Sequence, residues 1–161
     1  MRLLVIALVA TAMLVGCDPQ KVSELEEGTS TEADVRARFG EPDGIYLEAN
    51  GDRTLEYARQ PAGHANYMIS IDPSGRMSSL RQVLHPGNFA KVTPGLHREE
   101  VRRMLGKPAK MQTYSLRHEE VWDWRFADAH EIKIFSVTFD QSGAVIATSV
   151  GIDPKEIGQR G

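Results

Sequence analysis

The stretch GLHREEVRRMLGKP, residues 95–108, decides the fold, because the chain says nearly the same thing earlier: GTSTEADVRARFGEP, residues 28–42. In the downstream copy Val101, Met104 and Leu105 recur at i, i+3 and i+4, one face of a helix. Arg98, Arg102 and Arg103 occupy the rest of its circumference. Gly106 follows where a left-handed residue ends a helix cheaply, and Pro108 prevents continuation. In the upstream copy Val35 and Phe39 share a face, Gly40 caps and Pro42 stops. Thr29 and Glu32 have the spacing of a capping box, and Thr31 and Asp34 have it more loosely.

The correspondence continues outward. LEYAR at 55–59 parallels WDWRF at 122–126, and both alternate with the strand period. IDPSGRM at 71–77 parallels FDQSGAV at 139–145. Asp-x-Ser-Gly between apolar runs predicts a hairpin turn, the aspartate bonding the backbone and the glycine supplying positive φ. Each unit therefore reads as one short helix followed by three or four antiparallel strands, an α+β fold. Strands are predicted near 45–49, 53–59, 67–71 and 76–84, then near 110–115, 119–126, 132–139 and 144–150. The expected organisation is a first unit at 28–84, a linker at 85–94, a second unit at 95–152 and a tail at 153–161. A sheet with one helix over about 60 residues is marginal by itself, so the units are expected to pack together, with the Trp122/Trp124 face as cement.

The N-terminus belongs to neither unit. MRLLVIALVATAMLVGC carries Arg2, then an apolar run from Leu3 to Val15. That run is too short for a spanning helix, which needs about 20 residues, and fits the core of a secretory signal at 1–16. It ends in Leu14-Val15-Gly16-Cys17, which resembles the lipobox of bacterial lipoproteins, and Cys17 is the sole cysteine. The resemblance implies cleavage before Cys17 and its acylation, with residues 17–27 as a tether. Asp18 resembles the enteric signal for inner-membrane retention.

The net charge is −3, and the chain loses a basic residue when Arg2 is removed, so nucleic acid is not an expected partner. His64, His85, His97, His118 and His130 show no helical or zinc-type pairing. Ser74 and Ser142 lie in turns without the Gly-x-Ser-x-Gly elbow, and no glycine-rich phosphate loop exists. No cofactor, no metal and no catalytic residue is expected. Trp122 and Trp124 share one side of a strand, which reads as core packing or as an aromatic anchor for a partner. Arg98, Arg102 and Arg103 read as a solvated helix face or as a contact for anionic headgroups or an acidic partner.

Gly95, Val101, Leu105, Gly106, Pro108, Trp122, Trp124, Val137, Phe139, Asp140, Gly143 and Val145 together resemble the SmpA/OmlA domain of BamE-like lipoproteins. The first unit matches less fully: Leu55 stands at a usual tryptophan and Tyr57 keeps the second aromatic. His97 stands where the family's helix begins with Ser or Thr, which implies a weaker cap. Such domains occur singly in BamE, whereas this chain carries two, an arrangement that resembles the β-lactamase inhibitory protein fold. The resemblance implies a non-enzymatic, lipid-anchored protein on the periplasmic face of a bacterial membrane, with the outer membrane favoured. It implies an accessory or scaffold role in outer-membrane protein assembly or envelope integrity, with an envelope protein such as the barrel-assembly machinery as partner. The tandem precedent implies instead an inhibitor or binder of a soluble periplasmic enzyme.

Overall fold

Both copies of the repeated phrase fold the same way, and the reason is visible at their helix starts. The computed structural model describes residues 18–157. Helix α1 (Asp18–Ser23) precedes α2 (Glu32–Phe39), which leads into β1 (Gly44–Leu47), β2 (Arg53–Ala58), β3 (Asn66–Ile71) and β4 (Met77–Gln82). After α3 (Pro86–Phe89), the plan repeats: α4 (Arg98–Leu105), then β5 (Lys110–Tyr114), β6 (Glu119–Asp128), β7 (Glu131–Phe139) and β8 (Val145–Ile152), closed by α5 (Pro154–Ile157). The strands form two four-stranded antiparallel sheets, each in sequence order. The fold is α+β.

Helix α2 is capped by Thr31 and Asp34, not by Thr29 and Glu32. The Thr31 amide donates to Asp34 Oδ2 at 2.8 Å, and the Asp34 amide donates to Thr31 Oγ1 at 3.3 Å. Helix α4 is capped by His97 in spite of its residue type. The His97 amide donates to Glu100 Oε2 at 2.7 Å, while the Glu99 amide reaches the imidazole Nδ1 at a long 3.4 Å. Each helix start is also clipped to the hairpin of its own sheet. The Glu32 amide donates to Gly75 O at 3.0 Å, and the Arg98 amide to Gly143 O at 2.8 Å. In each turn the aspartate, Asp72 or Asp140, accepts from the serine two residues on, as the Asp-x-Ser-Gly reading requires. Gly143 is obligatory there, because a Cβ would lie 2.7 Å from Arg98 Nε and φ is +85°.

The two sheets are buried differently. Leu55, Tyr57, Ile69 and Ile71 join Val35 and Phe39 in one core cluster beneath α2. Thr54, Glu56 and Met68 alternate with them and turn to the opposite face. Met68 belongs to the second cluster, with Val83, Leu84, Val101, Leu105, Trp122 and Trp124. The layers therefore run α2, first sheet, α4 with α3, second sheet. Strands β2 and β3, covered on both faces, are buried almost continuously, whereas β6 and β7 alternate as strands with one open face do.

Three stretches read as connections carry structure. Within the tether, Val22 and Leu25 pack on the first core, and Glu27 accepts the Leu80 amide at 2.9 Å. Within the linker, Phe89 of α3 and Val92 beyond it enter the second core, where Phe89 stacks on Phe135 at 4.2 Å. The tail begins with buried Asp153, ion-paired to Arg125. All three have too few apolar residues to show a period, so their anchoring appears only once a core exists to receive them.

Candidate functional site

The sequence brings together its most unusual chemistry at the seam between the units, around Glu56. This carboxylate is fully buried. It sits on β2 opposite the face that packs α2, and α4 lands on it from the second unit. Arg102 donates to it twice, at 3.0 Å through Nη2 and 3.3 Å through Nε. The Lys107 amide donates at 2.7 Å and the Tyr46 hydroxyl at 2.6 Å. Every lone-pair direction of a buried charge is thus answered, the condition for keeping one inside a protein. Burial, and then the hydrogen bond to Glu56, push the Tyr46 hydroxyl up to about 12.

Around this node the end of α4 is held by the first unit. Buried Asn66 donates from Nδ2 to Leu105 O at 2.8 Å and to Lys107 O at 3.0 Å, while its Oδ1 accepts the Arg59 amide. Leu105 O is one of the carbonyls that a helix terminus otherwise leaves without donors. Trp124 Nε1 donates to Gly106 O at 2.9 Å from the other side. Gly106 has φ +75°, and a Cβ there would approach Asn66 Nδ2 to 3.0 Å. A second strap joins the units at Gln60, whose side-chain amide exchanges a pair of hydrogen bonds with the backbone of Arg125, at 2.8 and 3.2 Å. The seam therefore adds polar straps to an apolar contact, since Met68, Val83 and Leu84 of the first unit share a core cluster with Trp122 and Trp124.

The five residues singled out as contact candidates separate in the structure. Trp122 is nearly buried and Trp124 fully so, in tilted contact with each other and with Phe139 against Trp122. Arg102 points inward to Glu56. Arg103 lies over the Tyr46 ring, 5.2 Å from its centroid, and pairs with Glu48 at 3.3 Å. Arg98 pairs with Glu120 at 2.7 Å. Only Arg98 and Arg103 keep substantial solvent contact, at 35% and 48% side-chain exposure. Cys17 lies outside the described residues.

Sequence reasoning did not single out the cleft that opens beside the seam. It measures about 520 Å³, with Met68, Val83 and Met104 as apolar lining and Arg81, Lys91 and Arg103 as basic groups set against Glu48. Its residues come from β2, β3, β4, α3 and α4, so no local pattern announces it. Among the described residues no group of three or more His, Cys, Asp or Glu side chains is placed to hold a metal ion.

No protein-family model and no curated protein matches the chain. Solved structures do resemble it. An osmotically inducible lipoprotein, OsmE, is 22% identical over 48% of this chain and 90% of its own, with a TM-score of 0.38. A DUF4309 family protein (YjgB) from Bacillus subtilis is 20% identical over 84% of this chain and 86% of its own, with a TM-score of 0.35. A proposed β-lactamase inhibitor protein from Streptococcus mutans is 11% identical over 83% of this chain and 94% of its own, with a TM-score of 0.37. The structural neighbours thus include a lipoprotein and an inhibitor-like protein, both distant.

Proposed function

We propose that this chain is a non-catalytic, lipid-anchored envelope protein that supports outer-membrane protein assembly or envelope integrity by binding another envelope protein. The observation that carries the reading is the N-terminal sequence: an apolar run ending in Leu14-Val15-Gly16-Cys17, with no second cysteine anywhere. Several acyl chains at about 0.8 kcal/mol per buried methylene make such anchoring effectively permanent. The SmpA/OmlA-like motifs in both units give the reading its direction. The polar seam supports a scaffold role, since it commits buried polar groups to joining one unit to the other.

The partner contact is assigned to the exposed basic groups, Arg98 on one side and Arg81, Lys91 and Arg103 at the cleft, facing an acidic partner surface. Exposed charges of this kind act mainly on association rate and orientation. Two experiments test the reading. Labelled palmitate should enter the wild type and not Cys17→Ser, and no incorporation in the wild type refutes anchoring. Co-purification from solubilised membranes should retain barrel-assembly components, whereas retention of a soluble hydrolase in their place supports the inhibitor reading. Arg81→Glu with Lys91→Glu should weaken that retention without lowering the melting temperature.

A further inference from the structure

The internal repeat supplies its own control for an unusual sheet edge. In the first unit the edge strand β4 is covered. Met77 N–H donates to Ser30 O at 2.8 Å, and Leu80 N–H, turned away from β3, donates to the Glu27 carboxylate at 2.9 Å. In the second unit β8 starts the same way, with Val145 N–H donating to Leu96 O at 2.8 Å. There the cover ends. Thr148 is the counterpart of Leu80, since Leu80 pairs with Ile69 as Thr148 pairs with Val137, 68 positions on in both strands. The counterpart of Glu27, which precedes Gly28, is Pro94, which precedes Gly95 and has no acceptor side chain.

The N–H and C=O groups of Thr148, Val150 and Ile152 therefore face outward, and among the described residues they have no partner on that side. The strand VIATSVGI holds no charge and no proline, and its one bulge, at Ile146, lies ahead of the Thr148–Ile152 stretch. Folded proteins ordinarily blunt such an edge with charges, proline, bulges or a short length. Strand β1, by contrast, is only four residues long. On β8, Val150 and Ile152 are also 56% and 52% exposed.

We propose that β8 is a docking edge for β8 of a second copy of this chain, paired antiparallel about a two-fold axis at Val150, so that two four-stranded sheets become one of eight strands. Charge selects this occupant: two uncharged strands meet without repulsion, whereas a charged strand would find no countercharge along this edge. Register supports it as well. With Val150 opposite Val150, Thr148 stands opposite Ile152 in both copies, and the exposed apolar side chains cover one another. On the other face Ser149 stands opposite Gly151 in both copies, and both are small. The proposal does not depend on lipid anchoring.

The full chain in detergent should sediment as a dimer at micromolar concentration. Val150→Lys places two ammonium groups opposite each other and should abolish the dimer while leaving a folded monomer with native circular dichroism, because the side chain is mostly exposed. Thr113→Lys on β5, the far edge of the same sheet, should leave the dimer intact. On a Cys17→Ser background, where no other thiol exists, Val150→Cys should form a covalent dimer under mild oxidation. Cα atoms about 5.5 Å apart in a hydrogen-bonded pair lie within bridging range. A monomeric wild type, a dimer that survives Val150→Lys, or no cross-link at position 150 overturns the proposal.

Discussion

Replacing Arg102 with methionine tests whether the seam is energetically what its geometry suggests. The substitution keeps most of the apolar stem and removes the guanidinium, leaving Glu56 as a buried carboxylate without its counter-ion. Breaking a buried pair from one side costs about 3–5 kcal/mol. Two facts lower that figure. The Arg102 side chain is itself 25% exposed, and Glu56 keeps the Tyr46 hydroxyl and the Lys107 amide as donors. A loss of about 2–3 kcal/mol remains, which for a domain of this size lowers the melting temperature by roughly 10 °C. Arg103→Met is the internal control. Its pair with Glu48 is exposed on both sides, so the cost should stay below about 1 kcal/mol. Chemical denaturation of both variants, with Glu56→Gln and the Glu56→Gln/Arg102→Met double to complete a cycle, measures the coupling directly. Equal losses at Arg102 and Arg103, or a double variant whose loss is the plain sum of the singles, would refute the reasoning.

Other outcomes follow from the same contacts. Trp124→Ala should cost about 3–5 kcal/mol, because it opens a cavity under α4 and strips Gly106 O of its donor; urea midpoints compared with wild type report it. Asp72 and Asp140 are held below the usual carboxylate range, first by the serine hydroxyls at 2.6 Å and then by backbone amides. A depressed group stabilises above its unfolded value near 3.8 and loses that contribution as pH falls through its folded value. Acid unfolding below that pH should therefore be shallower in Asp72→Asn/Asp140→Asn than in wild type. Tyr46 has the opposite sign: its raised value keeps the neutral hydroxyl, whose contribution is intact below 10.0 and lost as pH rises towards about 12. The alkaline limb of a stability profile should flatten in Tyr46→Phe.

Much of the architecture is legible in the sequence because it depends on local rules. Gly106 and Gly143 mark left-handed positions, Asp-x-Ser-Gly marks both hairpins, and the offset of the repeat survives in the pairing registers. Even the irregularity repeats, at Ser70/Ile71 and again at Thr138/Phe139. Glu56 shows where legibility stops. Its counterpart in the second unit is Asp123, flanked by Trp122 and Trp124 as Glu56 is by Leu55 and Tyr57. Both look like the solvent side of a half-buried strand. Asp123 is only half-buried and pairs with Ser136 at 2.6 Å, whereas Glu56 lies under α4. Identical local patterns acquire different burial because one sheet is covered by its neighbour and the other is not. The same non-local event turns Arg102 from a surface charge into a seam residue, and it creates the cleft beside it.

The central claim is that the two repeats form one body locked through Glu56, and native-state hydrogen exchange tests it most directly. Amides in the middle of β2 and β3 and those in the middle of β6 and β7 should open with one common free energy in the wild type. In Arg102→Met that common value should fall for both sheets together, by about 2–3 kcal/mol. Two distinct opening energies in the wild type, or a fall confined to one sheet in the variant, would show the repeats to be independent units and contradict the account.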